Sequence, residues 1–171
     1  MDTVKTNRFL RIAIGLLAVA LVYVIYAAVH EHIVEAGDSA PDFTVTTDAG
    51  KSVSLAHFGG KLLLLNFWAS WCQPCVEETP SLSAFADQYK GKGVVVLGVS
   101  VDKDEDAYKK FVERFHPDFL VAHDLKIHED YGTFVYPETY VIDASGRVLR
   151  KYAEAKNWMD PQTIADINSL L

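Results

Sequence analysis

The sequence predicts an α/β domain on a central β-sheet of mixed direction flanked by helices, with an added N-terminal β-hairpin and an apolar helix ahead of it. Three observations carry that reading. Two apolar runs of strand length, residues 62–67 and 94–100, alternate with segments of helical periodicity, as buried strands covered by helices do. A strand–turn–strand signature, Tyr140-Val141-Ile142-Asp143, then Ala144-Ser145-Gly146-Arg147, then Val148-Leu149-Arg150-Lys151-Tyr152, follows near the C-terminus. Finally, residues 12–29 contain no charged side chain.

That uncharged run is long enough for a transmembrane helix. Lys5, Arg8 and Arg11 precede it, while Glu31, Glu35 and Asp38 follow, so the positive flank stays inside and the remainder of the chain lies outside. The expected organisation is a cytoplasmic N-terminus over 1–8, a membrane anchor over 9–29, a polar tether over 30–39 and a domain over 40–171. A cleaved signal peptide is the competing reading, with Val34-Glu35-Ala36 as its cleavage site. Either way the domain is exported. The 171 residues carry a formal charge of -7, and removing Asp2, Lys5, Arg8 and Arg11 leaves the rest more acidic still. Nucleic acid, which wants a basic face, is not the partner.

Along the domain, Phe43-Thr44-Val45-Thr46 and Val53-Ser54-Leu55 flank the turn Asp48-Ala49-Gly50-Lys51, a hairpin signal. Gly59-Gly60-Lys61 lacks the first glycine and the Ser/Thr of a phosphate loop. A helix runs from the cysteines to Tyr89, and Gly91-Lys92-Gly93 breaks the chain before the strand at 94–100. Asp102-Lys103-Asp104-Glu105-Asp106 caps a helix with Tyr108, Phe111, Val112 and Phe115 on one face. It lacks the glycine and closing glutamate of a calcium loop. Pro117 ends that helix; a short strand at 119–121 and a small helix at 127–131 follow. Asp160-Pro161 opens a closing helix with Ile164 and Ile167.

The only two cysteines, Cys72 and Cys75, lie three apart where the first core strand hands over to a helix. That placement makes a redox dithiol. At a helix N-terminus, unpaired backbone N–H groups and the helix dipole favour the thiolate of Cys72, which is the reactive form. Pro74 fits the first turn because its missing N–H has no intrahelical partner there. A zinc site needs four ligands, and no second Cys-x-x-Cys exists.

Leu65-Asn66-Phe67-Trp68-Ala69-Ser70-Trp71-Cys72-Gln73-Pro74-Cys75, then Pro80, then Tyr136-Pro137-Glu138-Thr139-Tyr140-Val141-Ile142-Asp143-Ala144-Ser145-Gly146 resemble the thioredoxin superfamily. Within it they resemble the membrane-anchored TlpA/ResA/CcmG-like thiol–disulfide oxidoreductases. The resemblance implies a thioredoxin-like fold, with Cys72 as attacking thiolate and Cys75 as resolving thiol. It makes Pro137 a cis-proline opposite the dithiol and Glu78, one helical turn past Cys75, a carboxylate that tunes the thiols. Trp71, Gln73, Pro74 and Tyr136 are the expected client contacts, and no cofactor or metal is needed. Asn66 stands where thioredoxin has a buried aspartate, so proton handling falls to Glu78. Residues 133–136 are bulkier than the Gly-Ala of the CcmG-like branch.

The resemblance further implies reduction of client disulfides at the bacterial cytoplasmic membrane, with the domain in the periplasm or outside the membrane. The leading client is apocytochrome c, with electrons supplied by a transmembrane thiol carrier of the DsbD/CcdA kind. General disulfide oxidation or isomerisation is the alternative. A peroxiredoxin-like peroxidase is a further one, although Ser70-Trp71-Cys72 lacks the Thr/Ser-x-x-Cys spacing of a peroxidatic cysteine. A non-enzymatic client-binding domain with a structural disulfide is the third.

Overall fold

A computed structural model describes the backbone of residues 3–29 and 33–171, and the side chains of 10–26 and 33–171. It comprises two units, divided between His32 and Ile33. The first contains helix α1 (Thr3–Val29). Leu16, Leu17, Val22 and Tyr23 on it are each at least 65 % exposed within the chain. Among the described residues no helix is long and apolar enough to cross a membrane. The anchor expected over 9–29 begins and ends outside the described side chains, and residues 30–32 of the expected tether lie outside the described residues altogether.

The second unit opens with the expected hairpin, β1 (Thr44–Thr46) against β2 (Ser52–Ser54), antiparallel and separate from the main sheet. The main sheet has the order β5-β4-β3-β6-β7. Its strands are β3 (Leu62–Trp68), β4 (Val94–Ser100), β5 (Leu120–His123), β6 (Glu138–Asp143) and β7 (Val148–Tyr152). β3, β4 and β5 run parallel, while β6 and β7 pair antiparallel. The mixed direction follows from connection length: helices return the chain between the parallel strands, and a tight turn suffices for the last pair.

β3 is buried along its whole length, and its alternation assigns the two faces of the core. Leu63, Leu65 and Phe67 pack with Tyr140, Ile142, the hairpin residues Val45 and Val53, and Tyr131. Leu62 and Leu64 pack on the other face with Leu82, Phe85 and Tyr89 of α2 (Gln73–Tyr89), Trp158, and Ile167 of α5 (Pro161–Asn168). The same alternation turns Asn66 toward α2.

The acidic run at 102–106 splits in two. Asp104 caps α3 (Glu105–Phe115), accepting from the N–H groups of Asp106 and Ala107, the ordinary role of an Asp N-cap. Asp102 is fully buried. α3 closes on His116, in the left-handed conformation at φ 42°, because the residue before Pro117 is disfavoured in a right-handed helix. The small helix, α4, spans Ile127–Asp130. The short strand lies at Leu120–His123 rather than 119–121: pairing with Leu97–Ser100 of β4 sets its limits.

Residues 33–39, expected as part of the tether, belong to the domain. Val34 is 0 % exposed, and its N–H donates to the Tyr131 carbonyl. Gly37 N–H donates to Val148 O at 2.8 Å, Val148 N–H to Asp38 O at 2.9 Å, and Ala40 N–H to Gly146 O at 2.8 Å. The cause is the edge of the sheet, where β7 leaves backbone groups that need partners. A chain beginning at Ala40 is therefore expected to be less stable than one beginning at Ile33 by about 2 kcal/mol, the burial of one valine. Urea unfolding of the two chains measures it.

Candidate active site

Cys72 and Cys75 are joined in a disulfide with Cα atoms 5.3 Å apart. Cys72 is the N-cap of α2, with Pro74 in the first turn, and its Sγ accepts the backbone N–H of Cys75 at 3.2 Å. A side-chain acceptor at this position satisfies an otherwise unpaired helix donor. With sulfur as the acceptor, the same contact stabilises a thiolate. The turn before the helix is held from β4: Asp102 accepts from Ser70 N–H (2.9 Å), Ser70 Oγ–H (2.7 Å) and Ser100 Oγ–H (2.7 Å). Nothing in the sequence singled out Asp102 for this, because β4 and the cysteine turn meet only in the folded sheet.

Opposite the dithiol runs the segment 133–137. The Tyr136–Pro137 bond is cis, and Cys72 Sγ lies 3.4 Å from the Tyr136 carbonyl oxygen. Trp71 is 68 % exposed and meets the Tyr136 ring edge-on, with centroids 6.0 Å apart. Gln73 and Pro74 are exposed, and the Gln73 amide donates to Glu77 at 3.0 Å. Glu77 thus sits beyond the first turn of α2. Desolvation, then the charges of Glu138 and Glu129, raise the Tyr136 phenol above its ordinary pKa. Glu138 is buried; it accepts from Thr133 Oγ and from Tyr140 OH (2.8 Å), and pairs with Lys151 at 3.3 Å. These contacts close the loop that presents Tyr136.

Glu78 lies one turn past Cys75 and is 4 % exposed. Its Oε1 accepts the indole N–H of Trp158 at 2.6 Å and the backbone N–H of Lys156 at 3.1 Å. Its Oε2 lies 3.5 Å from Asn66 Nδ2, which donates to Thr139 Oγ1 at 2.8 Å. Burial pushes the carboxyl from 4.5 up to about 7, against the lowering pull of these hydrogen bonds and of the Lys156 charge. The structure brings Asn66 and Glu78 together, a contact the sequence did not indicate. Beside Glu78 a cleft of about 440 Å³ opens between α2 and residues 155–157. Among the described residues no group of three or more His, Cys, Asp or Glu side chains is placed to hold a metal.

Comparison with known proteins fits this geometry. The Redoxin family matches residues 35–171, four-fifths of the chain and all of the site. The chain belongs to the Redoxin family. It is 37% identical over 123 residues to the thiol-disulfide oxidoreductase ResA of Bacillus thuringiensis subsp. konkukian, covering 71% of each chain. To ResA of Bacillus subtilis it is 32% identical over 153 residues, covering 85% of this chain and 86% of that one. Among solved structures, the thioredoxin domain of a thiol-disulfide oxidoreductase from Bacteroides vulgatus aligns with a TM-score of 0.69 at 27% identity, over 80% of this chain and 97% of that one. A thiol:disulfide interchange protein from Bacteroides sp. aligns with a TM-score of 0.63 at 31% identity, over 71% and 84%.

This Redoxin-family protein is a thiol–disulfide oxidoreductase with a thioredoxin-like fold. Its sequence did not disclose Trp158 and Lys156 as partners of Glu78. Both lie nearly eighty residues downstream, in a polar stretch after β7 that carries no motif. One signal was available: a tryptophan in an otherwise polar loop is costly to expose, and its N–H needs an acceptor once buried.

Proposed function

We propose that this protein is a membrane-tethered reductant of client protein disulfides, acting outside the bacterial cytoplasmic membrane. The single observation behind the chemistry is the placement of Cys72 as the cap of α2, with its sulfur on the Cys75 N–H and beside the Tyr136 carbonyl. In the reduced state the Cys72 thiolate attacks one sulfur of a client disulfide. A mixed disulfide forms and the other client sulfur leaves as a thiolate, which takes up a proton. Cys75 then loses its proton and attacks Cys72 Sγ. The second client thiolate leaves, and the domain holds the disulfide seen here. Two electrons have moved to the client.

An extended client segment crosses Trp71, Gln73 and Pro74 on one side and Tyr136 on the other. Pro137 keeps the strand-entry backbone open to it. Apocytochrome c before haem attachment is the proposed client, and a DsbD/CcdA-like thiol carrier the electron source, since an oxidising compartment does not itself regenerate a dithiol. The tether rests on the uncharged run at 12–29 and on the apolar side chains all round the described part of α1.

The reduction potential of Cys72–Cys75, measured in a chain beginning at Ile33, tests the direction. A value of about -230 mV or lower is expected. A value near about -120 mV makes the protein a disulfide donor and overturns the reductant reading.

A further inference from the structure

We propose that Trp158 is a positioning residue of the active site, fixing Glu78 so that Oε2 is the oxygen that takes up and releases the proton. The inference rests on the reading of Glu78 as the carboxylate that handles the protons of the dithiol.

The two Glu78 oxygens are not equivalent. Oε1 receives two donors, the Trp158 indole N–H at 2.6 Å and the Lys156 backbone N–H at 3.1 Å. An indole N–H and a peptide N–H can only donate. Together they fill the lone pairs of Oε1, so a proton on that oxygen would face two hydrogens. Among the described residues Oε2 has only the Asn66 amide, at 3.5 Å. The proton of the acid form therefore sits on Oε2, on the side of Asn66 and Thr139, where β6 leaves the cis-proline loop. Protonation then occurs without breaking either contact at Oε1, and the carboxyl group does not have to rotate.

Trp158 is itself held so that it cannot follow a rotating carboxylate. It is 0 % exposed, between the rings of Phe85 (5.7 Å) and Tyr152 (5.5 Å). Its backbone N–H donates to Ser81 Oγ at 3.2 Å, and Ser81 Oγ–H is within 2.9 Å of the Glu78 carbonyl. The loop and the helix turn that carries Glu78 are thus tied at two points. Among the described residues the charged groups around this carboxyl are few. Glu77 is on its own helix, and Lys156, on the loop, pairs with Glu154 at 2.8 Å. Tyr152, on β7 behind Trp158, donates to Asp166. Asn66 and Thr139 on β3 and β6 are neutral, and the dithiol lies one turn below. The cleft along residues 155–157 runs beside Glu78, on the side of its Oε1 donor Lys156.

The test uses the full chain in mild detergent and two readouts. In the oxidised protein, ¹³C NMR of the glutamate side-chain carboxyl carbons follows each titration, and the resonance missing from Glu78→Gln is Glu78. In the reduced protein, the rate of reaction with 5,5′-dithiobis(2-nitrobenzoic acid) is followed from pH 5 to 9. Trp158→Phe keeps an aromatic ring but removes the donor, which favours the neutral acid. The Glu78 midpoint is expected to move up by about one pH unit, the loss of one charge-assisted hydrogen bond. The inflection that Glu78→Gln removes from the rate profile should move with it. If Trp158→Phe does not fold, benzothienylalanine at 158 replaces the N–H by sulfur at nearly constant shape and gives the same comparison.

A folded variant whose Glu78 midpoint stays in place overturns the role of Trp158 and leaves Glu78 untouched. A rate lowered equally at every pH, with no moved midpoint, also overturns it, as a packing effect alone. A rate profile that Glu78→Gln leaves unchanged overturns the reading of Glu78 itself, and this inference with it.

Discussion

A reduced Cys75→Ser variant mixed with a disulfide-bearing protein is expected to accumulate as a covalent adduct through Cys72, with multiple turnover falling to the rate of a free-thiol control. The reason is the proposed division of labour between the two sulfurs, Cys72 attacking and Cys75 resolving. Cys72 caps α2, holds the Cys75 N–H on its sulfur and faces the Tyr136 carbonyl. Cys75 is 2 % exposed and packs with Trp68, Ala69 and Tyr108. Without Cys75 nothing within the protein displaces the client from Cys72, so the mixed disulfide persists. Cys72→Ser is expected to lose both turnover and adduct. Non-reducing gel electrophoresis followed by mass spectrometry reads both variants. An adduct on Cys72→Ser and none on Cys75→Ser would reverse the two roles.

The second large effect is on stability. Glu78 titrates near 4.5 when unfolded and at about 7 in the folded protein, with desolvation the dominant cause. Between those values the folded state holds a proton that the unfolded state has released, so stability falls as pH rises through the window. Below it the group is neutral in both states and the penalty is absent; above about 7 the penalty is complete. The gap from 4.5 to about 7 corresponds to about 3 kcal/mol. In Glu78→Gln the amide oxygen still accepts from Trp158 and Lys156, but no charge forms. Urea unfolding of the oxidised protein at pH 4 and pH 8 should therefore show the wild type losing about 3 kcal/mol more than the variant across that interval. Equal losses in the two proteins would mean that Glu78 is not held protonated by burial.

Much of the fold was legible because its signals are local. Residues 62–67 are too short and too apolar for anything but a buried strand, and β3 is one. The hairpin, the dithiol helix ending at Tyr89 and the acidic cap of α3 each follow from spacing and turn chemistry within a few residues. The cysteine pair was legible for the same reason, as two residues one turn apart at a strand–helix junction. The boundary at residue 33 was not. A run of polar residues has the composition of a linker, and only the open edge of β7 and a pocket for Val34 make it part of the domain.

The sequence by itself determined the order of strands and helices, the presence of a dithiol at a helix N-terminus, and a neutral Asn66 in the first core strand. Tertiary structure alone decided what surrounds those groups. Asp102 comes under Ser70 because β3 and β4 are parallel neighbours, and Asn66 comes under Glu78 because the pleat of β3 turns it toward α2. Trp158 reaches the same carboxylate because the chain after β7 folds back over that helix. Such contacts join residues from 12 to 80 positions apart. Local propensity carries no information about them, and they exist only once the core has closed.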